Sequence, residues 1–313
     1  MGVDPQIQVV LENLAKANLK PIELLTPDEA RQQMLAMVRA RGIVPQEVGE
    51  VGDSVIPGPG GGLPIRLYRP KTAAAGPLPA LVYFHGGGHV IGDLESHDSV
   101  ARALCNGGEC AVVSVNYRKA PEHKFPAAVE DAFEATKWVH AEGAGLGLDP
   151  ARIAVGGDSA GANLAAVVAL MARDADGPAL KLQLLVYPVA DYACAGRDYE
   201  TYGEGYGILT DGAMRWFRDH YLNDPAEAAD WRASPLRAAS HTGLAPALLI
   251  AAECDVLHGD GVAYAAALGR AGVEVTRSEY KGMIHAFFSM PTEIDGTAKA
   301  QAEASAALRR AFR

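Results

Sequence analysis

The sequence predicts an α/β fold: a mostly parallel central sheet with helices on both faces and a small helical addition. Three observations point there. Short apolar, β-like runs alternate with longer segments of helical character. A hydrophobic content of 49% supports a full core. The length of 313 residues suits one large α/β domain with a small addition, or two ordinary domains.

The elements follow in chain order. Residues 5–19 carry Ile7, Val10, Leu11 and Leu14 at helical spacing. Thr26-Pro27-Asp28-Glu29 is a helix start, with threonine as N-cap, proline first and glutamate third. The helix it opens runs to about Arg41, with Met34, Leu35 and Val38 on one face. Both helices precede the first strand and so stand outside the core sheet. Residues 51–56 and 65–69 read as an antiparallel pair, with the Pro-Gly cluster 57–62 as the hairpin turn. Residues 79–84 are a buried strand that runs into His85-Gly86-Gly87-Gly88. Residues 111–116 are the next strand, and Ala127 to about His140 is helical. The β-like run 153–156 leads into Gly157-Asp158-Ser159-Ala160-Gly161, and a helical run covers 162–170. Residues 182–189 form a strand. From 191 to 222 the chain is irregular and aromatic, with Tyr192, Tyr199, Tyr202 and Tyr206 followed by Trp216 and Phe217 on a helix. Those aromatics are either packing or pocket wall. Residues 246–252 are a buried strand ending at Glu253-Cys254-Asp255, and the run 273–280 ends in Lys281-Gly282-Met283-Ile284-His285. A last helix starts near Glu293.

Three of these junctions carry chemistry. A glycine-flanked serine between a strand and a helix is the setting of a nucleophile elbow. The tight turn leaves no room for side chains beside Ser159 and sets its hydroxyl at a helix N-terminus, where developing negative charge is favoured. The glycine run after His85 lets backbone N–H groups point into a cavity, as a tetrahedral oxyanion requires. Gly87 and Gly88 are the expected donors, joined by Ala160 just after the serine. An acid and a histidine at the ends of two late strands complete the order Ser, Asp, His. His285 would take the Ser159 proton, and Asp255 would hold the imidazole and stabilise its charged form. Glu253 and Asp260 compete for the acid's role, and strand alternation rejects neither. Asp255 is preferred because it sits at the strand end, where catalytic loops begin.

Composition excludes several classes. The net charge of −10, with no basic run, argues against a nucleic-acid partner. No stretch of ~18 uncharged apolar residues predicts a membrane span. The segment from Met1 to Pro5 lacks the features of a signal peptide, and Gln6 stands where myristoylation would want serine or threonine. Cysteines 105, 110, 194 and 254 have no metal-ligand spacing and read as small buried hydrophobes in a reducing, cytoplasmic setting. His85 and His89 stand four apart, but three glycines between them argue against the helix that would let them clamp a metal.

With these motifs in hand, the chain resembles the hormone-sensitive-lipase-like family of α/β-hydrolases, a bacterial group of small carboxylesterases. The resemblance rests on His85-Gly86-Gly87-Gly88, Gly157-Asp158-Ser159-Ala160-Gly161, Glu253-Cys254-Asp255 and Gly282-Met283-Ile284-His285, in that order. Asn116-Tyr117-Arg118-Lys119-Ala120-Pro121-Glu122-His123, Phe125-Pro126-Ala127-Ala128 and Ser234-Pro235-Leu236 are also family-like. It covers the chain from about Val51 onward. Val256 stands where the family usually has proline, and Ala162 where a further glycine is common. The resemblance implies a single catalytic domain over 1–313, with a cap from about 1–45 and 191–222. It implies hydrolysis of short- to medium-chain carboxylic esters through an acyl-enzyme, on a small-molecule ester, with neither cofactor nor metal. A homodimer is left open. The alternatives are another acyl bond (amide, lactone or thioester) at the same triad, or a homologue that binds a small ligand without turnover. The plant gibberellin receptors are of that last kind and typically lack the triad histidine.

Overall fold

The computed structural model describes residues 2–72, 76–204, 206, 208–291 and 293–313. Eight strands form one sheet in the order β1-β2-β4-β3-β5-β6-β7-β8. Here β1 is Glu50–Gly58, β2 Gly61–Arg69, β3 Leu78–Phe84, β4 Ala111–Val115, β5 Leu148–Asp158, β6 Leu180–Val186, β7 Ala247–Cys254 and β8 Val275–Ile284. The β1–β2 and β2–β4 pairs are antiparallel, and every pair from β4 to β8 is parallel. The parallel strands β3 and β4 are buried at every residue, as expected where helices cover both faces.

Strand alternation divides the core in two. Ala80, Val82 and Phe84 of β3 face one core, with helices α4 (Ala127–Glu142), α5 (Ala160–Asp174) and α8 (His258–Arg270). Leu81 and Tyr83 face the other, with α3 (Asp98–Gly108) and α9 (Asp295–Ala311). Outside these layers lie α1 (Pro5–Ala17), α2 (Pro27–Ala40), α6 (Arg197–Tyr202) and α7 (Asp211–Tyr221). The expected start of α2 is realised as a full capping box, with the Thr26 side chain on the Glu29 N–H and the Glu29 side chain on the Thr26 N–H.

The differences from the sequence patterns lie in boundaries and in three helices. The β1–β2 hairpin closes at Gly58 and Gly61, so the expected six-residue turn shrinks to Pro59-Gly60. Strand β8 runs on to Ile284, which delivers His285 directly from a strand end. The sequence patterns predict none of α3, α6 (within the stretch expected to be irregular) and α8. Glycines stand at one end of α3 (Gly107 and Gly108) and at three places in α8 (Gly259, Gly261 and Gly269), and such residues disfavour helix by about 1 kcal/mol each. Packing overrides that cost, through Leu104 and Cys105 of α3 and Tyr264 and Leu268 of α8, all completely buried. Within the aromatic stretch 191–222, Gly205 and Gly207 lie outside the described residues.

Candidate active site

The turn from β5 to α5 is held on both sides. Ser159 adopts φ 55° and ψ −119°, a left-sided conformation that costs a non-glycine residue on the order of 1–3 kcal/mol. Its N–H donates to the Val186 carbonyl at the end of β6 (2.9 Å). Gly161 lies against the last carbonyl of β3, that of Phe84, and a Cβ there would collide with it. The glycine therefore lets the turn sit on the sheet edge, and packing maintains the strained serine.

The His285 Nε2 is 3.0 Å from the Ser159 Oγ, and its Nδ1 is 2.7 Å from Asp255 Oδ2. A carboxylate only accepts, so Nδ1 carries the proton and the Nε2 lone pair faces the serine hydroxyl. Asp255 is almost fully buried, and its second oxygen accepts the Leu257 N–H at 3.0 Å. The rival acids are engaged elsewhere. Glu253 accepts the Gly282 N–H (2.7 Å), which anchors the strand leading to His285. Asp260 accepts the N–H groups of Ala190 and Asp191, at 2.9 and 3.0 Å.

Burial pushes the Asp260 carboxyl up to about 7, against the lowering influence of those two N–H bonds. An unfolded chain would release this proton near ~3.9. The native state keeps it to about 7, so the group's contribution is full below the unfolded value and is lost as pH rises through 7. Asp260→Asn keeps an acceptor oxygen and removes the titration. Its stability relative to wild type should therefore rise by on the order of 2 kcal/mol between pH 5 and pH 8.5. Urea midpoints at the two pH values measure this, and a difference that stays flat would refute it.

The loop after β3 is the second half of the site. Gly87 (φ 115°), Gly88 (φ 59°) and His89 (φ 61°) turn the main chain three times in the left-handed region. A Cβ on Gly88 would enter the ring of Phe217 on α7, so the glycine lets that helix close on the loop. The N–H groups of Gly87, Gly88 and Ala160 make no hydrogen bond among the described residues. Gly86 is pinned instead, through its N–H to Asp158 Oδ1 at 3.1 Å.

Asp158 turns out to be the post of this loop, a role the sequence reading did not see. The Tyr83 hydroxyl donates to it at 2.7 Å, and His97 Nε2 lies 3.3 Å from its other oxygen. Burial by itself would raise this carboxyl, but His97 and the Tyr83 hydroxyl outweigh it and hold it below its ordinary value. Ser96 Oγ holds the far ring nitrogen of His97 at 2.9 Å. No local pattern marks His97; only the fold brings it 61 residues back to Asp158.

His85 and His89 do not converge. The segment between them is not helical. The His85 ring stacks on Tyr117 (4.3 Å between centroids), and the His89 ring stacks on Tyr221 (3.9 Å). Burial, with help from Lys119, drops the His85 pKa well below its usual value. Burial takes His89 to about 3, so both rings stay neutral. Cys254 is buried in packing beside β8.

Ser159 and His285 open on a cavity of about 610 Å³. Its walls include Leu14 of α1, Met34 and Val38 of α2, and Met214 and Phe217 of α7. The aromatics left unassigned by the sequence divide here. Tyr192, Tyr206 and Phe217 face this cavity, whereas Tyr199 lines a smaller one beside Asp260. Trp216 packs instead, its indole N–H donating to Leu25. Arg31 of α2 bridges to Glu122 (2.6 Å) and to the carbonyls of Val90 and Ala120, which ties the helix to the strand-end loops.

Residues 81–289 match the family of the alpha/beta hydrolase fold. The carboxylic ester hydrolase LipN of Mycobacterium tuberculosis is 40% identical over 98% of this chain and 82% of its own. The ethyl acetate hydrolase of Pseudomonas putida is 38% identical over 94% of this chain and 95% of its own. Among solved structures, the hyperthermophilic esterase of Pyrobaculum calidifontis superposes with a TM-score of 0.94 at 39% identity, covering 99% of each chain. No helix among the described residues is long and apolar enough to cross a membrane.

Proposed function

Because the chain belongs to the α/β-hydrolase family, in its hormone-sensitive-lipase-like group of carboxylesterases, and is a carboxylic ester hydrolase, we propose that Ser159, His285 and Asp255 are its catalytic triad. The observation that carries this reading is the unbroken chain of contacts from Ser159 Oγ through His285 to Asp255, 3.0 and 2.7 Å long, at the floor of the cavity. The Ser159 oxygen attacks the ester carbonyl as its proton passes to His285 Nε2. The carbonyl oxygen becomes an oxyanion, received by the N–H groups of Gly87, Gly88 and Ala160. Collapse breaks the bond to the alcohol oxygen, which takes the proton from His285 and leaves. Water then repeats the cycle on the acyl-serine, its proton passing through the same nitrogen, and the acid is released. A fluorophosphonate probe tests the nucleophile directly. The adduct is expected on the peptide containing Ser159, and an adduct elsewhere would move it.

In this reading α1, α2 and the segment carrying α7 act as a small cap on a single catalytic domain. Substrates are esters with acyl chains of about four to eight carbons, because the cavity beneath short cap helices ends the favourable burial. Each added methylene contributes up to ~0.8 kcal/mol until the pocket is full. The kcat/KM of p-nitrophenyl esters from acetate to palmitate, below their aggregation limits, should therefore peak between butyrate and octanoate. A maximum at twelve carbons or beyond would overturn the cap reading. We place the enzyme in the cytoplasm, supported by four thiols that are all buried and unpaired, a state a reducing compartment maintains.

A further inference from the structure

Arg41 is a cation without a counter-ion among the described residues, on the wall of the cavity that Ser159 and His285 line. It follows the last turn of α2, is half-buried, and lines the same cavity as Ser159 and His285. Its Nη1 donates to the Ser289 carbonyl at 3.0 Å and reaches the Ser289 hydroxyl at 3.5 Å. Among the described residues Arg41 forms no ion pair, and its Nε and Nη2 donors make no hydrogen bond. Arg309 likewise meets only a carbonyl among the described residues, that of Gly107, but lies away from the cavity, and three other half-buried arginines are paired. Arg31 meets Glu122, Arg66 meets Asp53, and Arg118 meets Asp131, all at 2.8 Å or less. Burial lowers the pKa of Arg41 from its ordinary value, and the opposing influence comes only from the Tyr187 phenol. The guanidinium is thus partly desolvated while its free donors stay open to the cavity, an arrangement that an incoming anion would stabilise.

The other charges on the wall do not supply a negative partner. Lys20 and Glu23 are exposed. Asp158 is already engaged by Tyr83, Gly86 and His97. Arg41 is also tied to the catalytic loop, since Ser289 lies four residues beyond His285 and Ala286 between them faces the same cavity. Its free donors form a planar fork that matches a carboxylate bidentately.

We infer that the substrates of this esterase carry a free carboxylate besides the ester, and that Arg41 engages it. Two chemistries meet that description, a half-ester of a dicarboxylic acid and an acyl ester of a hydroxy acid. The inference rests on the serine-esterase reading above and narrows its substrate class.

The test compares matched pairs. Mono-p-nitrophenyl glutarate against p-nitrophenyl valerate reads the acyl side. 4-(Butanoyloxy)benzoate against its carboxamide reads the alcohol side. In at least one pair, Arg41→Met should lower the anionic-to-neutral ratio of kcat/KM by about 10- to 100-fold, the range of one charge-assisted contact. Arg41→Lys should retain part of the ratio, and added salt should erode it in the wild type. A merely structural tie between α2 and Ser289 would lower both members of a pair together. A ratio unchanged within twofold by Arg41→Met, in both pairs, would overturn the inference. Failure of the underlying esterase reading would look different, as p-nitrophenyl valerate hydrolysis that survives Ser159→Ala.

Discussion

Ser159→Ala is expected to lower kcat/KM for p-nitrophenyl butyrate by ~10⁴-fold or more while leaving the protein folded. The hydroxyl makes the bond to the acyl group, and alanine offers no replacement. The fold should tolerate the change because the strained φ of 55° is adopted by a residue with a Cβ in either case. The turn is held by the Ser159 N–H on Val186 and by Gly161 on Phe84, neither of which involves the side chain. The hydroxyl itself meets only His285 among the described residues. The thermal midpoint should therefore move by only a few degrees. Residual activity above a few per cent, in a variant of native midpoint, would show that Ser159 is not the nucleophile.

Asp255→Asn should be nearly as damaging, with a loss of ~10³- to 10⁴-fold in kcat. The asparagine carbonyl can still take the Leu257 N–H that Asp255 Oδ1 takes at 3.0 Å, so the backbone should hold. Its amide then presents N–H groups to His285 Nδ1, where the carboxylate stood 2.7 Å away. That contact favours the tautomer with the proton on Nε2, which cannot accept from Ser159. Glu253→Gln is the control. Glutamine keeps an oxygen for the Gly282 N–H, a 2.7 Å contact remote from the ring, and activity should fall less than ~3-fold. If the two variants ranked in the opposite order, the acid would be Glu253.

Much of the site was legible from local patterns because each piece is a local structure. Strand, glycine-flanked serine and helix form one continuous turn, and the turn's steric demands are written in Gly157 and Gly161 themselves. The glycine run after His85 likewise shows backbone freedom at its own positions. The choice among Glu253, Asp255 and Asp260 was not local in this sense. All three sit within eight residues, and any could face a histidine until the β7–β8 register is known. The partners differ because Glu253 meets the Gly282 N–H while Asp255, one step past the strand, meets the ring. His97 and Arg41 had no local signature, since the Asp158 and Ser289 they meet lie in distant segments.

The sequence by itself determined the fold class, the order of the proposed catalytic residues and the strand ends on which they sit, because periodicity and turn chemistry act over a few residues. Only the tertiary structure decided the strand order β1-β2-β4-β3-β5-β6-β7-β8, the Asp158 post beneath the glycine loop, and which aromatics of the segment 191–222 face the cavity. It also left Arg41 without a carboxylate among the described residues. These depend on long-range packing, where a side chain's partner is chosen by which surfaces the sheet brings together, and that is not encoded at any one position.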